Sequence, residues 1–147
     1  MRNGKYGCAV WGCGWVSSGH INAYLRHPQC EVVALGSRRR ESVLAKQKEF
    51  GLDCRVCLNL SELLQDERID IISICTPNRQ HAEEAIRAAR AGKHVFLEKP
   101  IAICEEDLVR LPQTFAACGV RSLVGLVLRF NPLVQMQRQL VAEGGLD

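Results

Sequence analysis

The sequence has no long apolar run, no block of charge of one sign beyond a short arginine run, and no low-complexity segment. Its apolar runs fall short of the roughly 18 residues that a membrane-spanning helix needs, and its start shows no signal-type hydrophobic segment. The 19 basic and 16 acidic residues are scattered and leave a net charge of +3. We therefore expect a cytoplasmic protein that binds neither a membrane nor nucleic acid in general.

The sequence also lacks a second C-x-x-C pair of the kind that binds a metal ion. Eight cysteines are present, but neither another C-x-x-C nor a suitably spaced histidine pair accompanies Cys54 and Cys57. Disulfide frameworks are typical of short exported chains, and structural zinc sites need four ligands at characteristic spacing. We therefore expect reduced thiols packed in apolar segments, with Cys57 facing a core, and we predict no metal site.

What the sequence does contain is a regular alternation of short apolar runs with longer amphipathic stretches. The short runs predict strands at residues 6–12, 31–36, 55–58, 70–75, 94–98 and 122–128. The longer stretches predict helices near residues 16–27, 41–50, 61–66, 79–91 and 105–118. Ser61 is the expected N-cap of the third helix, and Gly51, Gly92 and Gly119 are the expected helix stops.

Strands that alternate with helices are typical of βαβ units. We therefore predict an α/β fold with a doubly wound parallel sheet of six strands in the order 3-2-1-4-5-6. A length of 147 residues fits one domain of this kind. We place that domain at residues 1–129 and interpret residues 130–147 as a linker helix.

A glycine loop follows the first predicted strand directly. It reads Gly12-Cys13-Gly14-Trp15-Val16-Ser17, a G-x-G-x-x-G pattern with serine in the third place. Gly12 allows a tight turn, and Gly14 lets the backbone approach a pyrophosphate at the start of the next helix. The strand-to-helix context favours a dinucleotide site, whereas the alternative is that the glycines only allow close helix–sheet packing.

The end of the second predicted strand lacks the acidic residue that would accept a hydrogen bond from the ribose 2′-hydroxyl of NAD. It carries Ser37, Arg38, Arg39 and Arg40 instead. Guanidinium groups suit the 2′-phosphate of NADP. We therefore favour NADP as cofactor, with NAD as the alternative. At least one of the arginines can simply belong to a solvated turn.

Two further motifs follow strands four and five: Cys75-Thr76-Pro77-Asn78 with His81, and Glu98-Lys99-Pro100. Together with the glycine loop they resemble the Gfo/Idh/MocA oxidoreductases, a family named for glucose-fructose oxidoreductase and inositol dehydrogenase. The resemblance extends to Arg129-Phe130-Asn131-Pro132. It implies an NAD(P)-dependent oxidoreductase that acts on CH–OH groups of a sugar, cyclitol or similar polyol.

The resemblance also implies a set of site residues. The residues expected near the pyrophosphate are Gly12, Gly14, Trp15 and Val16. Those expected near the adenosine ribose are Ser37 and Arg38. Those expected near the nicotinamide half are Thr76, Pro77, Asn78, His81, Glu98 and Lys99. Lys99 is the expected catalytic residue, with a purely structural lysine as the alternative. His81 could instead be a surface or capping histidine, and His20 is expected to pack rather than to catalyse. A cis Lys99–Pro100 bond is also expected.

The resemblance implies a second α/β domain that supplies much of the substrate pocket and often the oligomer interface, and we expect these 147 residues to lack it. We therefore expect cofactor binding by these residues, with catalysis depending on a longer chain. The alternative is a noncatalytic dinucleotide-binding or scaffolding module. A Rossmann-like methyltransferase is disfavoured, because S-adenosylmethionine offers Arg38 no comparable anion.

Overall fold

A parallel sheet with helices on both faces forms the framework of the computed structural model, which describes residues 4–145. The strands are β1 (Tyr6–Trp11), β2 (Cys30–Gly36), β3 (Arg55–Cys57), β4 (Ile71–Ile74), β5 (His94–Leu97) and β6 (Ser122–Val124). The α-helices are α1 (Ser17–Arg26), α2 (Arg40–Phe50), α3 (Leu60–Leu64), α4 (His81–Arg90), α5 (Glu105–Cys118) and α6 (Pro132–Ala142). Residues 1–3 of the predicted domain and residues 146–147 of the predicted linker lie outside the described part.

The strands pair in parallel in the order β3-β2-β1-β4-β5-β6, which confirms the predicted topology. The order reverses between β1 and β4, where Trp11 is in register with Ile74. The N–H of Cys75 continues this pairing beyond β4 and donates to the carbonyl of Trp11 at 2.8 Å. In open parallel sheets, a crevice forms outside the carboxyl ends of the strands at such a reversal. The topology therefore brings the ends of β1, β2 and β4 together around one crevice.

Successive side chains of β1 enter two different cores. Ala9 and Trp11 pack in the cluster shared with α3, α4 and α5, whereas Cys8 and Val10 pack in the cluster shared with α1 and α2. All four side chains are buried. A strand covered on both faces needs apolar residues at successive positions, which explains the nearly continuous apolar runs in the sequence. Cys57 is fully buried in the first cluster, as predicted.

The cysteines and helices can be described for residues 4–145. All eight cysteines lie in this range, and each is a free thiol. Among the helices in this range, none combines the length and apolar character that a bilayer crossing requires.

The sixth strand is shorter than predicted. The apolar run 122–128 forms β6 only over Ser122–Val124, and a 3-10 helix follows over Val127–Phe130. The N–H of Leu126 donates to the carbonyl of Val124 at 2.7 Å and so turns the chain away from the ladder. Periodicity could not reveal this end, because a short apolar run has the same pattern in a strand and in a segment of helix.

The N-cap of α3 was also predicted wrongly. The helix begins at Leu60, and the cap is Asn59 rather than Ser61. The side-chain oxygen of Asn59 accepts a hydrogen bond from the N–H of Glu62 at 3.0 Å, so it satisfies one of the free donors of the first turn. The predicted stops Gly51 and Gly119 do end α2 and α5 in the left-handed conformation. The predicted helix after Asn131 is present as α6, and its role as a linker remains a prediction.

Candidate functional site

The glycine loop connects β1 to α1 at the point where the strand order reverses. Gly12 has a φ of +96°, which favours glycine. A Cβ atom on this residue would lie 2.6 Å from both the carbonyl carbon and the oxygen of Cys75, so the two segments can approach this closely only with glycine here. Ser17 is fully buried and donates to the carbonyl of Gly14 at 2.6 Å. Serine in the third place therefore preserves the close helix–sheet packing.

The amino end of α1 suits an anion. No side chain caps this end, and its first turn contains no acidic residue. The first N–H groups of a helix lack partners within the helix and carry a partial positive charge, which makes such an end favourable for a phosphate group. A Cβ atom on Gly14 would meet open space. The loop and the helix end therefore offer backbone donors and room for a phosphate.

A cleft of about 370 Å³ opens beside the loop. The predicted site residues that line it are Gly12, Gly14, Ser37, Arg38, Thr76 and Pro77. Arg39 and Gln80 also line it but were not among the predicted site residues. The arginine run was a signal for Arg39, whereas a polar residue on a turn gave no signal for Gln80. Arg40 is not among the lining residues and is the exposed first residue of α2.

The charge at the mouth of the cleft comes from the arginines that follow β2. Arg39 donates through Nε and Nη2 to the hydroxyl of Ser42 at 3.3 and 3.2 Å, and its backbone N–H donates to Ser37 at 3.4 Å. Cys13 and Cys75 also line the cleft. Burial raises the pKa of Cys13 to about 11, and it raises the pKa of Cys75 as well. Arg38 and Arg39 therefore supply the positive charge at the mouth of the cleft.

A buried carboxylate lies beneath the cleft. Glu84, on α4, is 9% exposed. Its Oε1 accepts a hydrogen bond from the indole Nε1 of Trp11 at 2.8 Å, and its Oε2 accepts one from the hydroxyl of Thr76. No sequence pattern singles out Glu84, because acidic residues are common on solvated helix faces. This carboxylate ties the end of β1 to the turn after β4 and so sets the position of Thr76 in the cleft.

His81 lies beneath the turns rather than in the cleft. The sequence predicts His81 near the nicotinamide half, or else as a surface or capping histidine, but in the structure His81 is only 1% exposed. Its Nδ1 lies 2.7 Å from the carbonyl oxygen of Pro100, and its Nε2 lies 2.7 Å from that of Thr76. Both ring nitrogens thus face backbone carbonyls, and the ring donates through whichever nitrogen carries hydrogen. His81 holds the Thr76 turn against the turn that contains the cis Lys99–Pro100 bond, which is present as predicted.

Glu98 is likewise buried, at 7% exposed, rather than open to the predicted nicotinamide position. Its Oε1 lies 3.0 Å from Nε2 of His20, and its Oε2 accepts from the N–H of Lys99 at 3.3 Å. The other ring nitrogen of His20 lies 3.0 Å from the hydroxyl of Ser73, which lies 2.7 Å from the hydroxyl of Tyr24. His20 is therefore buried and packed, as expected, but it belongs to a polar network that ends at the backbone of Lys99.

Glycine at position 125 makes room for this network. A Cβ atom there would lie 2.6 Å from Oε1 of Glu98. The same glycine and Lys99 line a second cavity of about 290 Å³, together with residues 126–129. Lys99 is exposed at the carboxyl end of β5, where it borders this neighbouring cavity rather than the cleft.

The remaining predicted site residues lie around the rim. Trp15 is 92% exposed on the glycine loop, and Val16 is half-buried at the start of α1. Asn78 is exposed and begins the short 3-10 helix Asn78–Gln80. None of these three is among the residues that line the cleft in the described structure. The lining of the cleft therefore assigns these three residues no contact with a ligand.

Comparison with known proteins identifies relatives over most of the chain. Residues 6–126 match the Gfo/Idh/MocA family model, described as an oxidoreductase family with an NAD-binding Rossmann fold. The scyllo-inositol 2-dehydrogenase (NAD(+)) of Bacillus subtilis is 30% identical over 126 residues, which cover 85% of this chain and 36% of that enzyme.

Two solved structures show the same fold. The WlbA dehydrogenase from Bordetella pertussis, in complex with NADH and UDP-GlcNAcA, has a TM-score of 0.87 and 31% identity over 95% of this chain and 42% of that one. KijD10, a 3-ketoreductase from Actinomadura kijaniata in complex with NADP and TDP-benzene, has a TM-score of 0.86 and 26% identity over 95% and 43%.

The chain spans less than half the length of the curated relatives that it matches. Residues 6–126 match the family model, and the two solved structures share the fold over 95% of this chain. The chain therefore belongs to the Gfo/Idh/MocA oxidoreductase family and forms its NAD-binding Rossmann fold.

Proposed function

We propose that this chain is the cofactor-binding part of an oxidoreductase that prefers NADP and acts on a sugar, cyclitol or similar polyol. A nicotinamide cofactor supplies or accepts the hydride in such a reaction. The residues of this chain would bind the cofactor, orient it and control a proton at the reacting oxygen. The observation that carries the cofactor preference is the pair Arg38 and Arg39 beside the glycine loop.

The end of β2 is where the two cofactors are distinguished. A carboxylate at this place accepts a hydrogen bond from the 2′-hydroxyl of NAD, whereas a nearby arginine accommodates the 2′-phosphate of NADP. Ser37 and Arg38 occupy this place, and Arg39 adds a second guanidinium at the same rim. Guanidinium–phosphate hydrogen bonds are charge-assisted and often bidentate. Relatives in complex with NADH and with NADP support a nicotinamide cofactor in either form.

The remaining cofactor contacts are proposed for the cleft and its rim. In this proposal the backbone of the glycine loop, from Gly12 through Val16, binds the pyrophosphate at the amino end of α1. Thr76, Pro77 and Asn78, on the turn after β4, border the nicotinamide half. Glu84 and His81 hold that turn from below through hydrogen bonds and make no contact with the cofactor themselves.

Lys99 is the catalytic residue of this proposal. Its side chain is exposed at the carboxyl end of β5, the edge of the sheet where ligands of such folds bind. An ammonium group there can donate to the reacting oxygen of the substrate and stabilise the alkoxide that develops during hydride transfer. The relative named for scyllo-inositol and the neighbour in complex with UDP-GlcNAcA support a sugar or cyclitol as substrate.

Calorimetric titration with NADPH and NADH tests the cofactor preference. We expect NADPH to bind more tightly, and Arg38→Ala to weaken NADPH about 10- to 150-fold with little effect on NADH, since a hydrogen bond to a charged group contributes about 1.5–3 kcal/mol. Arg40→Ala is the matched control, because it removes the same charge outside the cleft. Equal or tighter binding of NADH by the unmodified protein would refute the preference.

Turnover of a panel of sugars and polyols with NADP, measured on a longer chain that contains these residues, tests the reaction. Lys99→Met should lower kcat by about 100-fold or more while leaving NADPH affinity unchanged, because loss of general acid–base help costs about that much. Lys48→Met, on an exposed face of α2, controls for the loss of one ammonium group. Unchanged turnover by Lys99→Met would remove this residue from the chemistry.

A further inference from the structure

Gln80 connects the buried carboxylate beneath the cleft to the arginine at its mouth. In the amide orientation that pairs donors with acceptors, its nitrogen donates to Oε1 of Glu84 at 3.2 Å and its oxygen accepts from Nη2 of Arg38 at 3.3 Å. Glu84 is itself fixed by Trp11 and Thr76. A chain of hydrogen bonds therefore runs from the core to an otherwise exposed guanidinium.

The amide is chemically suited to this position because it is neutral. Its oxygen can hold one N–H of Arg38 while the guanidinium keeps its full charge and its other donors. A carboxylate at position 80 would form an ion pair with Arg38, offset that charge and repel an incoming phosphate. A small apolar side chain would leave the arginine without a partner and free to change rotamer. Both alternatives would weaken a contact with phosphate, but for different reasons.

We propose that Gln80 is a positioning residue that selects for a 2′-phosphorylated dinucleotide by orienting Arg38. The proposal rests on the NADP preference proposed above and identifies what keeps the arginine in place. Glu84 orders the Gln80 amide, and the amide orders the guanidinium over the cleft. A ligand then binds a preorganised arginine, so less conformational freedom is lost on binding. A dinucleotide without the 2′-phosphate gains no affinity from the fixed orientation of Arg38.

The ratio of the NADH and NADPH dissociation constants is the measurement that tests the proposal. We expect Gln80→Ala to weaken NADPH about three- to tenfold, in line with the immobilisation of one long side chain, and Gln80→Glu to weaken it by about tenfold or more. NADH affinity should change less than about twofold in both variants. Gln113→Glu adds the same charge on an exposed part of α5 and should leave both affinities unchanged.

A double-mutant cycle with Arg38→Ala separates positioning from a general structural effect. If Gln80 acts through Arg38, then Gln80→Ala should have no further effect on NADPH once the arginine is gone. A persistent effect in that background, or equal weakening of NADPH and NADH, would overturn the proposal. Equal or tighter binding of NADH by the unmodified protein would instead show that the NADP preference itself is wrong, and this inference with it.

Discussion

The carboxylate of Glu98 offers a direct test of the buried network beside Lys99. Its two oxygens serve two different N–H groups, those of His20 and Lys99, at 3.0 and 3.3 Å. Glu98→Leu introduces an apolar side chain of similar size and removes both acceptor oxygens. The ring N–H of His20 would then lose its acceptor in a buried position, because Glu98 and His20 are each 7% exposed, whereas Lys99 is an exposed residue.

The expected loss can be worked out from these contacts. A buried donor left without an acceptor costs about 1–3 kcal/mol, which is the loss expected from His20. For a chain of this size each kcal/mol corresponds to about 2–4 °C in the unfolding midpoint, which predicts a fall of about 2 °C or more. Glu98→Gln should lose less. Its amide oxygen can accept from Lys99, and its nitrogen can donate to His20 if the ring changes tautomer.

Urea and thermal unfolding of the three proteins measure this difference, and nitrogen NMR of His20 reports its tautomer. The N–H of the ring should face Glu98 in the unmodified protein and Ser73 in Glu98→Gln. Glu31→Leu, at an exposed position of β2, serves as the control and should stay within about 0.5 kcal/mol of the parent. If Glu98→Leu were as stable as that control, the network would contribute nothing and the reasoning would fail.

Two further predictions concern the glycine loop and acid stability. Gly12→Ala should lower the free energy of unfolding by about 1–3 kcal/mol or more and abolish dinucleotide binding in a titration. The reason is that its Cβ atom would lie 2.6 Å from the Cys75 backbone. Gly14→Ala is the control and should keep the stability of the parent, because its Cβ atom meets open space. The Arg68 guanidinium, with Arg55, holds the pKa of Asp66 well below its usual range. The ionised Asp66 carboxylate therefore stabilises the fold above about pH 4, and this stabilisation is lost on further acidification. In urea unfolding, the free energy of unfolding of Asp66→Asn should fall below that of the parent by an amount that narrows from about pH 6 to pH 3. A deficit independent of pH would contradict that assignment.

Local chemistry was enough to predict most of the scaffold. Apolar runs at the spacing of βαβ units predicted the six strands and their order, because parallel strands need cover on both faces and right-handed crossovers leave few arrangements. Gly12 was predicted from its place between a strand and a helix, and its positive φ confirms the turn. The end of β6 and the cap of α3 were missed, since both depend on which backbone donors are already paired.

The sequence by itself determined the topology, the position of the crevice and the chemical types of the residues that line it. Only the tertiary structure decided which polar residues face that crevice and which support it from below. Glu98 and His81 belong to family motifs, yet both are buried and hydrogen-bonded to neighbouring segments. Gln80 has no motif but reaches Arg38. The physical reason is that the direction of a polar side chain depends on partners that residues distant in the sequence supply, and no local pattern records those partners.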